Sequence, residues 1–154
     1  MRSNTGPPLV RFYHPLLLTM EQTIAVILDK AYQRGLKICL LSREPAQAKH
    51  LDEFLWIYPA NSFLPHGFCG GRHDKRQPIL ICKEPNDANG ATVLTNTELV
   101  PLEKPEQFDM VLEFVDPSRQ ETIAASRERY RFYRSCACEI EYWRQTDQGA
   151  WEKR

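Results

Sequence analysis

Arg127, Tyr130, Arg131 and Arg134 recur at spacings of three and four near the end of the chain. On a helix, that spacing gathers them on one side. The product is a basic ridge edged by an aromatic ring. Arginine forks bind carboxylates in bidentate fashion, and an adjacent tyrosine adds an apolar wall carrying a hydroxyl. The ligand that suits this set is an acidic peptide ending in a hydrophobic residue. Two other readings share the spacing. One is a solvated helix face paired with Glu128 and neighbouring acids. The other is a single-stranded nucleic-acid binder that stacks bases on Tyr130 and Tyr133.

Other chemistries are poorly supported by residue type and spacing. His66, Cys69, His73 and Cys82 offer the nitrogen and sulfur donors that zinc prefers. Their spacing is unlike a paired knuckle, and His73 falls in a mobile polar loop at 70–77, so no metal site is expected. Nucleophilic catalysis needs a Ser or Cys at a sharp turn near a His and a carboxylate, and no GxSxG elbow occurs. His50, beside Asp52 and Glu53, reads as a solvated surface residue. Gly67, Gly70 and Gly71 do not follow a strand and open a helix, and GxxxxGK[ST] is absent. No catalytic, cofactor-binding or metal residue is assigned, although a nucleotide-dependent or hydrolytic enzyme remains the competing enzymatic class.

The elements that must position the basic ridge follow from periodicity and punctuation. Residues 1–8 read as a flexible arm and residues 9–154 as a single α/β domain. A short strand is expected over 9–13. A helix over 20–34 follows, with Met20, Ile24, Ile27, Leu28 and Ala31 on one side and Gly35 as its C-cap. After a buried strand at 36–41, Pro45 opens a second helix whose inward stripe is Ala48, Leu51, Phe54 and Leu55, ending before Pro59. Apolar runs at 79–82, 91–95 and 110–115 read as three further strands. Asp116 as N-cap and Pro117 at the first position would start a last helix running to about Ser135, before a final strand at 139–144. This alternation predicts a mostly parallel, mixed sheet flanked by helices, with the antiparallel element among the middle strands. The architecture is Rossmann-like without a nucleotide-binding turn, because the first strand leads into His14-Pro-Leu-Leu-Leu-Thr without a glycine.

Composition sets outer bounds. The 154 residues are 42% hydrophobic and 26% charged, enough to bury a core. Formal net charge is zero, so the chain lacks the global positive field that supports direct binding to nucleic-acid phosphate. No stretch approaches the roughly 20 apolar residues of a membrane helix, and no signal-peptide core is present, which predicts a cytoplasmic protein without membrane association. Five cysteines form no disulfide framework and are expected as free thiols.

A second block, LDEFLWIYPANSFLPHG at 51–67, concentrates aromatic residues around a helix end and a proline-bounded loop. That is more aromatic surface than a loop normally exposes, and Trp56, Phe63, Leu64 and Pro65 are the candidates for a partner interface. The blocks Arg11-Phe-Tyr-His, LDEFLW…SFLPHG, QPILI, Asn89-Gly-Ala, RERYRFYR and the closing YWRQ…GAWEKR occur in order from Arg11 onward. In this the sequence resembles the chi subunit of bacterial DNA polymerase III holoenzyme. The resemblance implies a non-catalytic accessory of the clamp loader in DNA replication. It implies that Arg127, Tyr130 and Arg131 receive the acidic C-terminal tail of single-stranded DNA-binding protein. It also implies a second surface for the psi subunit, here at Phe63, Leu64 and Pro65 with Trp56, and association with DNA only through partners. The arm before Leu9 has no counterpart in the resemblance, and the 70–77 loop is more charged than it requires.

Overall fold

The computed structural model describes residues 5–60 and 62–154; residues 1–4 of the expected arm lie outside it. Its strands are β1 (Leu9–His14), β2 (Ile38–Leu41), β3 (Gly67–Phe68), β4 (Ile79–Cys82), β5 (Val93–Asn96), β6 (Met110–Phe114), β7 (Glu139–Gln145) and β8 (Trp151–Lys153). Helices α1 (Met20–Gln33), α2 (Pro45–Ile57) and α3 (Gln120–Ser135) flank one sheet of order β3-β4-β2-β5-β6-β1-β7-β8.

Every neighbouring pair is parallel except β7 with β8. The mixed sheet is as the sequence predicts, but its antiparallel element is not among the middle strands. It is a hairpin at the C-terminus, closed where Thr146 N donates to Ala150 O at 2.7 Å. The middle strands β2, β4 and β5 are buried at all four positions. Continuous apolar runs of that kind belong to parallel strands covered on both sides.

Alternation along the strands divides the core in two. Ile38, Leu40, Ile79, Ile81, Val93 and Leu112 face Ile24, Ile27 and Leu28 of α1 and Ala48, Leu51 and Leu55 of α2. Val10, Phe12, Leu41, Leu80, Leu94 and Val111 face the other way, where Tyr133 of α3 packs with Leu102 and Phe108. Each large apolar side chain so buried contributes roughly 1.5–3 kcal/mol.

The helix ends explain one agreement and one correction. Thr19 and Gln22 form a capping box at the start of α1, and Gly35, at φ 78°, ends it in the left-handed conformation that glycine adopts without a Cβ clash. For α3 the expected start at Asp116-Pro117 is wrong. The Asp116 carboxylate accepts from Ser118 N at 3.0 Å and Ser118 Oγ at 2.6 Å, closing a local turn. With its cap used there, the helix begins only at Gln120.

What holds α3 on the sheet is a buried ion pair that spacing alone does not single out. Arg129, on the inward side of α3, places Nε 2.8 Å from Oε1 of Glu113 on β6, and both residues are almost fully buried. The guanidinium also donates to Phe114 O at 2.9 Å and Leu99 O at 3.1 Å. Glu113 Oε2 accepts from Asn96 at 2.8 Å and from the Tyr133 hydroxyl, which in turn accepts from Leu102 N at 2.7 Å. Burial pushes the Glu113 carboxyl up to about 7, against the pull of Arg129.

Replacing one partner of such a pair leaves an uncompensated buried charge. Arg129→Met is expected to cost about 3–5 kcal/mol in chemical denaturation near neutral pH. A carboxyl whose folded pKa is raised stabilises the fold below its unfolded value, about 4.3, and loses that contribution as pH rises through the folded value. Without Arg129 the folded value rises further. The variant should therefore keep losing stability between about pH 8 and pH 9, above the folded value of the wild type, where the wild type has levelled off. A constant difference between the two proteins across that range would contradict this role for Glu113.

Candidate functional site

The inward side of α3 is Thr122, Ser126, Arg129 and Tyr133, so Arg127 and Arg131 point away from the core. Beside them lies an open cleft of about 540 Å³ between α3 and the β1–β7 part of the sheet. Arg127, Tyr130 and Arg131 line it from the helix, with Ile123 and Val115 supplying apolar wall. Arg134, one turn further on, is exposed and is not among the lining residues. Three of the four residues of the sequence-derived ridge thus converge, and the fourth stands apart.

Tyr130 is partly buried, with its ring 5.8 Å from that of Phe12 on β1. Phe12 stacks at 6.1 Å on Tyr142 of β7, so one buried ring underlies both tyrosines. The opposite wall consists of His14, Tyr142 and Arg144. Sequence reasoning quoted these residues within the blocks that carry the family resemblance but gave them no role. The signal that finds them is register: parallel pairing of β1 with β7 sets Phe12 beside Tyr142 and His14 beside Arg144.

The cleft is electrically one-sided. Its lining includes three arginines and no carboxylate. Glu128 pairs with Arg131 at the exposed rim, a contact that solvent screens. Burial lowers the His14 imidazole below its ordinary range, and the charge of Arg144 adds to this. Burial raises the Tyr142 phenol, while Arg144 and Arg127 pull it the other way. Such a site favours a ligand carrying negative charge together with an apolar group.

The aromatic block occupies the other side of the sheet. Trp56 is 55% exposed and Phe63 88% exposed, and Ile57, which the sequence reading passed over, is 74% exposed. Pro65 is half-buried. Leu64 is 1% exposed and packs in the core with α1 and α2, so it anchors the loop from inside and offers no surface to a partner. His66 clasps the same loop: its Nδ1 lies 2.7 Å from Leu64 O, its Nε2 lies 3.0 Å from both Asp52 O and Asp52 Oδ1, and Trp56 covers its ring at 4.0 Å. Ser62 Oγ donates to Asp29 of α1 at 3.0 Å. Trp56 and Ile57 at the end of α2 and Phe63 in the braced loop after it are therefore exposed apolar side chains.

The remaining candidates are placed as follows. With His66 engaged in this way, its ring serves packing. Cys69 is pushed up to about 11, chiefly by burial, which leaves a neutral thiol. The 70–77 loop carries a short 3-10 turn, Asp74–Arg76, and the Asp74 carboxylate accepts from Gly70 N and Gly71 N at 2.9 Å each. Among the described residues, no group of three or more His, Cys, Asp or Glu is placed to hold a metal ion, and no helix is long and apolar enough to cross a membrane. After β1, where phosphate-binding folds direct backbone N–H groups at a ligand, the N–H groups of Leu16, Leu17 and Leu18 converge instead on Gln145 Oε1 at 3.0, 2.8 and 3.3 Å.

In fold the chain is similar to the crystal structure of T4 UvsW, with a TM-score of 0.63 over 89% of this chain and 41% of that one. At 9% identity that likeness concerns the fold alone. In sequence it is similar to the DNA polymerase III subunit chi of Escherichia coli, 29% identical over 133 residues, 77% of this chain and 80% of that protein. The subunit chi of Pseudomonas aeruginosa is 27% identical over 115 residues, 73% of this chain and 78% of that protein. A probable subunit chi of Rickettsia prowazekii is 30% identical over 82 residues, 53% of this chain and 50% of that protein. The family model described as DNA polymerase III chi subunit, HolC, matches residues 8–141, and the chain belongs to that family, an accessory component of the replication machinery.

Proposed function

We propose that this protein is a non-catalytic replication adaptor that holds the acidic C-terminal tail of single-stranded DNA-binding protein in the α3 cleft. The observation that carries this reading is the convergence of Arg127, Arg131 and Arg144 on a cleft with tyrosine and aliphatic walls and no carboxylate in its lining. The arginines attract the acidic tail and raise its association rate, and burial of the terminal apolar side chain slows its release. Arg134 adds long-range attraction from outside the cleft. Single-stranded DNA is reached through this partner, in keeping with the zero net charge.

The apolar surface of Trp56, Ile57 and Phe63, edged by Pro65, serves in this account as the psi-facing surface that links the protein to the clamp loader. Exposed apolar side chains concentrated at one place mark an interaction site more often than they occur by chance. Residues 9–154 act as one domain, the protein works in the cytoplasm, and it needs neither cofactor nor metal.

Fluorescence anisotropy of a labelled acidic peptide ending in Asp-Ile-Pro-Phe tests the tail reading. Wild type should bind in a salt-sensitive way, and Arg127→Ala should weaken binding by at least about tenfold, the loss expected when a charge-assisted contact of about 1.5–3 kcal/mol is removed. Equal affinity of the two proteins would remove Arg127 from the site. For the second surface, Phe63→Ala should weaken co-purification with psi and leave peptide binding intact, because Phe63 is exposed and far from α3 in the fold. Undiminished psi binding by both Phe63→Ala and Trp56→Ala would place that interface elsewhere.

A further inference from the structure

The helix supplies only one wall of the cleft. Because β1 and β7 are parallel and in register at His14↔Arg144, the imidazole and the guanidinium sit side by side, facing α3 across the cleft. Tyr142, two residues before Arg144 on the same strand, belongs to the same wall. Its hydroxyl is 2.6 Å from His14 Nδ1, its ring meets the imidazole edge-on at 5.9 Å, and the charges of Arg127 and Arg144 both act on it. A cation on α3 and a cation on β7 thus address the same point from opposite sides.

We propose that His14 and Arg144 form a specificity-determining wall for the bound acidic peptide, with one carboxylate reaching Arg144 and the His14 imidazole taking up a proton as the peptide binds. The inference rests on the peptide-binding reading of the cleft. In the free protein His14 faces Arg144 and Tyr142 on β7 and Arg127 and Arg131 on α3, all cationic or neutral. The β8 carboxylate, Glu152, is the ladder neighbour of Arg144, lies outside the cleft lining and is 4.0 Å from the Arg154 guanidinium. Asp116, which follows β6, has its carboxylate turned onto Ser118, and the loop after β1 presents Leu16 and Leu17. Burial and Arg144 keep the free imidazole neutral at physiological pH. A carboxylate arriving beside it reverses the sign of its surroundings and favours the imidazolium.

The complex then binds one more proton than its parts. Affinity must rise as pH falls through the window between the free and bound values of His14, by up to about tenfold for each unit separating them. Arg144 contributes in a different way: a partly exposed guanidinium–carboxylate pair changes affinity about two- to fivefold with little dependence on pH in this range.

The experiment titrates the labelled acidic peptide against wild type, His14→Gln, Arg144→Gln and Arg127→Ala at about pH 6 and about pH 8. It also follows the His14 imidazole of the wild type by NMR with and without saturating peptide. The expected results are tighter wild-type binding at the lower pH, a flattened pH dependence in His14→Gln, uniformly weaker binding in Arg144→Gln, and an upward move of the His14 titration on binding. If Arg127→Ala loses the peptide while His14→Gln and Arg144→Gln match wild type at both pH values, or if peptide leaves the His14 titration unmoved, the second wall is overturned and the cleft reading stands. If wild type itself fails to bind, the cleft reading falls and the inference falls with it.

Discussion

The Glu113 carboxylate beneath α3 is the constraint on which the functional surface depends. A side chain with no exposure and a formal charge must be surrounded by donors, and it draws them from three places: Arg129 and Tyr133 on the helix and Asn96 at the end of β5. Those contacts fix the rotation of α3 about its own axis. Because Arg129 is required inside, Arg127 and Arg131 are required outside, and Tyr130 falls between them onto Phe12. The same residues that clamp the helix therefore aim the cleft.

Sheet topology separates the two proposed interaction surfaces. Helix α3 covers one face of the sheet, over Phe12 and Val10, while α2 and its braced loop lie on the other, toward β2 and β4. A ligand beside Arg127 and a partner on Trp56, Ile57 and Phe63 would touch no common residue. The arrangement suits an adaptor, in which two contacts must coexist.

Much of this was legible in the sequence where a local rule acted alone. The left-handed Gly35 and the uninterrupted apolar runs of β2 and β4 needed no tertiary information. Legibility ended where two elements compete or combine. Asp116 could cap a helix or close a turn, and the proximity of Ser118 settled it as a turn. Leu64, between exposed Phe63 and half-buried Pro65, looked like surface because a loop carries no period that reveals which side chain turns inward. The two-residue β3 and the short β8 are strands only because a neighbour pairs with them.

The candidate site follows the same division. Helical spacing alone yields Arg127, Tyr130 and Arg131, since all three belong to one element. It also yields Arg134, which is exposed outside the cleft lining. His14, Tyr142 and Arg144 become a wall only through the pairing of strands about 130 residues apart in sequence, as in the 128-residue separation of the His14–Tyr142 contact. Backbone amide NMR of the protein titrated with the acidic peptide tests the central claim most directly. The account predicts shifts confined to the middle of α3 and the ends of β1 and β7, with none at Trp56, Ile57 or Phe63. Shifts centred on the aromatic loop, or none at all at saturating peptide, would contradict it.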